Sequence, residues 1–161
     1  MPEPGFIGVF DRSHYEDVLI GRVRSLAPAE EIERRYGAIE RFETDAAARG
    51  IRIVKVMLHI SKDEQKARLA ERLERPDKHW KYNPGDVDER ELWDAYMAAY
   101  QVMLERTSTV SAPWFVVPAD RKWFARLAVQ QLLLAALEDI DPQWPAADYD
   151  VAHEKQRLAA S

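Results

Sequence analysis

Asp11 and Arg12 stand side by side directly after the apolar run Phe6-Ile7-Gly8-Val9-Phe10, and Ser13 follows them. An acid and a base just past the carboxyl end of a strand occupy the place where open α/β sheets set their chemistry. A carboxylate there can hold a magnesium ion through water, and a neighbouring guanidinium can clamp phosphate at two points. The pair also has an ordinary structural account, with Asp11 capping the next helix and Arg12 ion-paired on the surface. Spacing does not choose between the two. A second cationic group lies mid-chain. Arg68, Arg72 and Arg75 share one helix face by their spacing, and Lys78 and Lys81 extend the positive run into RPDKHWKYNPGD (75–86). A cationic loop behind a cationic helix suits a lid that closes over a polyanion and excludes water. The plainer account is a helix stitched by its own Glu64–Arg68 and Glu71–Arg75 pairs, each acid four residues before its base.

The elements that would position these groups alternate between strand and helix. Residues 6–10 read as a short strand, and Ser13 with Glu16 has the spacing of a capping box opening a helix that ends before Pro28. A second helix is expected from about Ala29 to Arg49, with Ile32, Tyr36, Ile39 and Phe42 on one face and Gly50 as its C-terminal stop. IRIVKVMLHI (51–60) is nearly all apolar and β-branched apart from Arg52 and Lys55, which predicts a strand covered on both faces. Ser61 and Glu64 open a helix to about Arg75, residues 75–86 read as a loop, and a helix returns from Asp88 to Arg106. APWFVVPAD (112–120) supplies a third strand. Asp120 is expected to cap a last helix, Lys122 to Leu137, whose nearly continuous apolar character predicts burial. This order implies a three-layer α/β sheet with right-handed crossovers.

Composition narrows the function classes. The chain has 28 acidic and 23 basic residues, a net charge of -5, which argues against coating nucleic acid but allows a local cationic pocket. Cysteine is absent, so there is neither a disulfide frame nor a thiolate metal site. No basic-then-apolar leader and no bilayer-length apolar run are visible, and the expectation is a soluble cytoplasmic domain without membrane contact. His14, His59, His79 and His153 lack metal-ligand spacing, and His59 is expected in the core. Trp93, Tyr96, Tyr100, Trp114, Trp123 and Phe124 are expected to be core packing. No G-x-S-x-G elbow, dinucleotide fingerprint or G-x-x-x-x-G-K-[ST] phosphate loop occurs.

Three collinear blocks carry a family resemblance: FDRSHYEDVLIGRV, HISKDEQKARLAERLERPDKHWKYNPGD and ELWDAYMAAYQVMLERTSTVSAPWFVVPADRKWFARLAV. Together they resemble the type 2 polyphosphate kinases over about residues 5–145. The resemblance implies an α/β, P-loop-kinase-like (thymidylate kinase-like) three-layer parallel sheet, incomplete at its N-terminus, with a helical lid at about 62–107 and a flexible tail at 146–161. It implies transfer of phosphate between inorganic polyphosphate and a nucleoside mono- or diphosphate, with Mg2+. Asp11 would be the Walker B carboxylate, holding Mg2+ through water, and Arg12 would contact transferring phosphate. Arg68, Arg72, Lys78, Lys81 and Lys122 would bind phosphate. Implied partners are polyphosphate, ADP, ATP or AMP, with guanine nucleotides as variants. A second copy in a homo-oligomer, or a complementing N-terminal half, is implied as well, and nucleic acid is not. The family's Walker A loop and lysine precede the D-R-S block. The expectation is therefore a C-terminal part whose visible strands surround a missing middle and which is inactive alone. The alternative is a non-catalytic fragment or interaction subunit that binds polyphosphate, nucleotide or a full-length homologue.

Overall fold

The computed structural model describes all 161 residues. A 3-10 turn (His14–Asp17) and a short helix α1 (Ile20–Val23) precede the long α2 (Ala29–Ala48). Strand β1 (Lys55–His59) leads into α3 (Lys62–Glu74), a 3-10 segment (Pro76–Lys81), α4 (Gly85–Glu91) and α5 (Trp93–Thr107). Strand β2 (Trp114–Pro118), α6 (Lys122–Ile140) and α7 (Val151–Ala159) complete the chain. No helix is long and apolar enough to cross a membrane.

The sheet consists of β1 and β2, paired in parallel from Lys55 opposite Trp114 to His59 opposite Pro118. Pleat alternation sends the two strands' side chains to two different cores. On one face Val117 and Ala119 pack against Ala125 of α6, with Val56, Ile60, Ala128 and Leu132 around them. On the other lies a larger cluster of Tyr15, Val18, Ile32, Tyr36, Ile39 and Met103, joined by Trp114. The layers are thus α6, the sheet, and the α2–α5 pair, as an α/β reading requires.

Local chemistry explains the helix ends. Gly50, at φ 81°, closes α2: its N–H donates to the Ala47 carbonyl and that of Ile51 to the Ala46 carbonyl. Ser61 caps α3 by accepting from the Glu64 N–H at 3.1 Å.

Several expectations change. Residues 6–10 form no strand and are solvent-exposed, because no neighbouring strand offers them a hydrogen-bonding edge. The gap expected in the middle of the sheet does not separate β1 from β2, which pair directly. The helix after Ser13 is split, since Val18, Ile20, Gly21 and Val23 are poor helix formers and Tyr15 and Val18 turn inward. Within 75–86, Pro76 forces Arg75 into an extended conformation and then starts the 3-10 segment. The helix expected from 88 to 106 breaks at Leu92 into α4 and α5. Helix α6 is not buried all round: it has only a two-stranded sheet to cover it, and Trp123, Leu127 and Leu134 stay exposed. Trp123 and Phe124 are therefore not core residues, and neither is His59, which lies at the open end of β1. Residues 151–159, within the expected tail, form α7, capped by Asp150.

Candidate functional site

Two features frame the site: a buried polar node beneath the D-R-S segment and a cationic hairpin made by α3 and the 3-10 segment behind it. The node was not legible as such. Lys55, noted only as an exception in an apolar strand, is 6% exposed and has each ammonium N–H satisfied. It donates to Glu43 Oε2 at 2.6 Å, to the Thr107 carbonyl at 2.7 Å and to the Tyr15 hydroxyl at 3.0 Å. Tyr15 in turn donates to Glu43 Oε1 at 2.7 Å. The Lys55 ammonium also lies 5.3 Å from the Trp114 ring centre, and the Trp114 indole N–H donates to Thr107 Oγ1. Burial drives the Glu43 carboxyl up, but His14 nearby and the hydrogen bonds from Lys55 and Tyr15 outweigh it and hold the group below its ordinary range. Burial pulls Lys55 down against the attraction of Glu43, and raises Tyr15. A cation in a strand covered on both faces must find an anion, so Lys55 itself was the available signal.

Asp11 and Arg12 lie four and three residues ahead of Tyr15, both exposed. The Arg12 guanidinium faces Glu16 at 3.6 Å, the helix-surface pairing that was the plainer account of this residue. Asp11 does not cap the following turn; that place belongs to Ser13, whose Oγ accepts from the Tyr15 N–H.

The arginines of the cationic hairpin are ion-paired along its surface, the plainer of their two accounts. Glu64–Arg68 (2.7 Å) and Glu71–Arg75 (3.3 Å) form as expected from spacing. Lys78 comes back onto Glu71, which is held below the usual carboxylate range by Lys78 first and Arg75 second. Arg72 bridges to Asp86 at 3.4 Å and toward the Lys81 carbonyl at 3.5 Å, so Arg72, Lys78 and Lys81 belong to one compact surface. The Lys81 ammonium sits 4.7 Å over the exposed Trp80 ring. Arg68 stands apart from them: besides Glu64 it donates to the Ala119 and Asp120 carbonyls, at 2.8 and 3.2 Å, tying α3 to the end of β2.

At the carboxyl ends of both strands lies an open depression of about 490 Å³ lined by His59, Ser61, Pro118, Asp120, Arg121, Trp123 and Phe124. Asp120 does not cap α6 as expected. Its Oδ1 instead accepts from the Ser61 N–H at 2.7 Å, which joins the ends of the strands and lowers the Asp120 carboxyl. Lys122 is exposed in the first turn of α6, beside this depression. No hydrogen bond or ion pair connects Asp11 or Arg12 to the hairpin cations.

The model of the family described as Polyphosphate kinase 2 matches residues 1–145. The chain belongs to that family. It is 46% identical over 145 residues to the AMP/ADP-polyphosphate phosphotransferase of Meiothermus ruber, covering 90% of this chain and 54% of that protein. It is 42% identical over 157 residues to the ADP-polyphosphate phosphotransferase of Rhodopseudomonas palustris, with the same coverage of both. The crystal structure of Polyphosphate Kinase 2 from Arthrobacter aurescens TC1 superposes with a TM-score of 0.95 at 59% identity, covering all of this chain and 57% of that one. The chain therefore spans about half the length of the relatives it matches. Its small parallel sheet between helices agrees with the P-loop-kinase-like α/β class read from the sequence.

Proposed function

We propose that this chain is the lid-bearing part of a polyphosphate:nucleotide phosphotransferase, moving phosphate between inorganic polyphosphate and a nucleoside mono- or diphosphate. Asp11 and Arg12 face the transferring phosphate, and Arg72, Lys78, Lys81 and Lys122 hold phosphate oxygens along the chain. The observation that carries this reading is the hairpin in which Arg72, Arg75 and Lys78 are already gathered on Glu71, Asp77 and Asp86. Phosphoryl transfer asks a protein mainly for positioning and charge stabilisation, and cations parked on exchangeable carboxylates can pass to phosphate without being assembled anew. Arg68 has the weakest claim of the set, since its guanidinium is spent on backbone carbonyls. Its part is to anchor α3 at the sheet while Arg72 and the two lysines meet the polyanion. The names of the relatives support AMP and ADP as acceptors.

A magnesium ion fits this arrangement in one form. The chain has no group of three or more His, Asp or Glu side chains that could cage a metal, but Asp11 is an exposed carboxylate engaged in no ion pair. One carboxylate plus waters and substrate phosphates is a normal magnesium environment. Bound there, the ion would neutralise charge on the phosphate oxygens, and Arg12 would add a forked donor beside it.

The sequence contains no glycine-rich phosphate loop, and the proposed reaction draws that loop and its lysine from outside these 161 residues. The purified chain is therefore expected to bind polyphosphate and to make no ATP. Incubation with polyphosphate and Mg2+, read by ATP formation from ADP and by ADP formation from AMP, tests this. ATP production that disappears in Asp11→Asn would overturn the expected inactivity of the isolated chain. Failure to bind polyphosphate at low salt would overturn the assignment of the hairpin.

A further inference from the structure

We propose that Tyr15, Glu43 and Lys55 are positioning residues: their buried node holds the Asp11–Arg12 segment in register with the C-terminal end of α5, the helix on which the lid returns to the core. The inference rests on the phosphotransferase reading for the roles of Asp11, Arg12 and the lid, and it adds the device that relates them. Direct contact does not relate them, since neither Asp11 nor Arg12 touches a lid cation.

The geometry of the node is that of a joint. Its groups come from separate elements: Tyr15 from the turn after Asp11–Arg12, Glu43 from α2, Lys55 from β1 and the Thr107 carbonyl from the last turn of α5. Each Lys55 N–H goes to a different one of the other three partners, so movement of any partner breaks a bond to the same ammonium. Short structure connects the node to the working groups. Ser13 Oγ accepts from the Tyr15 N–H, fixing the turn that starts at His14, three residues after Asp11. At the other end, the Thr107 hydroxyl donates to the Met103 carbonyl and accepts from the Trp114 indole, so the carbonyl offered to Lys55 belongs to a clamped helix end.

Core filling alone does not call for these groups. Apolar residues of similar volume usually replace a buried ion pair without loss of stability, and a fully satisfied buried network fixes one arrangement among several. The charged side chains of the node are 3–4% exposed, and His14 lies 3.6 Å from Glu43.

The test uses the full chain in three forms: wild type, Tyr15→Phe, and an apolar node (Tyr15→Phe, Glu43→Leu, Lys55→Met). Hydrogen exchange without ligand is measured first. The apolar node is expected to unfold at the same or higher urea concentration than wild type, yet to exchange at least about fivefold faster at both 13–18 and 104–109 while 32–46 keeps its protection. Tyr15→Phe, which keeps the ring, is expected to show the same paired change at smaller size. Acceleration confined to 13–18, or spread evenly over every helix, would overturn the proposal. Polyphosphate binding is measured second, as a double-mutant cycle of Arg12→Ala and Arg72→Ala. The two losses are expected to be non-additive in wild type and additive with the apolar node; equal coupling in both backgrounds would overturn the proposal. If wild type binds no polyphosphate, the phosphotransferase reading fails, and the exchange result alone decides the joint.

Discussion

Replacing Lys55 by Met removes the cation from the node and leaves the Glu43 carboxylate buried at 3% exposure with Tyr15 and His14 as its remaining neighbours. The size of the effect follows from the contact. At 2.6 Å and an effective dielectric constant of about 20, the gross attraction is about 6 kcal/mol. Desolvation of two ions takes back most of that sum, so the intact pair adds little net stability. The single substitution keeps the desolvation penalty and loses the attraction, and a loss of about 3–5 kcal/mol is expected. With a urea slope of about 2 kcal/mol per molar, the unfolding midpoint drops by about 2 M. Adding Glu43→Leu in the same chain removes the orphaned charge and should restore most of the loss, whereas Tyr15→Phe alone should cost about 1 kcal/mol. Equilibrium urea unfolding followed by circular dichroism measures all three. A Lys55→Met midpoint within a few tenths of a molar of wild type would refute the reasoning, and so would a Lys55→Met/Glu43→Leu chain no more stable than the single variant.

Acid should weaken the fold through the same node. The Glu43 carboxyl is held below its ordinary value of 4.5, so its contribution is present above that pH and is lost as pH falls through the depressed value. Glu43→Gln should flatten that part of the pH–stability curve, as read by thermal melts from pH 6 downward. Ser61→Ala removes the α3 cap and should cost about 1 kcal/mol in urea unfolding. Arg68 and Arg72 should separate by readout. Arg72→Ala should lower polyphosphate affinity at unchanged stability, whereas Arg68→Ala should lower stability too, because it frees the Ala119 and Asp120 carbonyls. Calorimetric titration beside a thermal melt distinguishes the two outcomes.

The long elements were legible because one local signal dominated each. The apolar spacing of Ile32, Tyr36 and Ile39 with Gly50 behind it gave α2 nearly residue for residue, and the Ser61–Glu64 box gave the start of α3. The misreadings arose where tertiary partners decide. Residues 6–10 have strand composition, but a strand needs an edge to pair with, and none is present beside them. Helix α6 is apolar nearly all round, but burial depends on what covers it, and only one face meets the sheet. Asp120 has the residue type and position of an N-cap, yet the Ser61 N–H across the sheet end competes for it and wins. At the site, the ion pairs within α3 could be read from spacing alone, whereas Arg72–Asp86 and Lys78–Glu71 required the turn at Pro76 to be known. Lys55 was visible as an anomaly, but its partners come from 15, 43 and 107, separations that no local pattern encodes.

The central claim is that the hairpin cations are a polyphosphate grip. Titration of the chain with polyphosphate at low salt, compared with Arg72→Ala/Lys81→Ala, tests it most directly. Saturable binding is expected that weakens steeply as salt rises and falls at least about tenfold in the double variant, whose fold is unchanged by circular dichroism. Binding of equal strength in both proteins, or none in either, would contradict it.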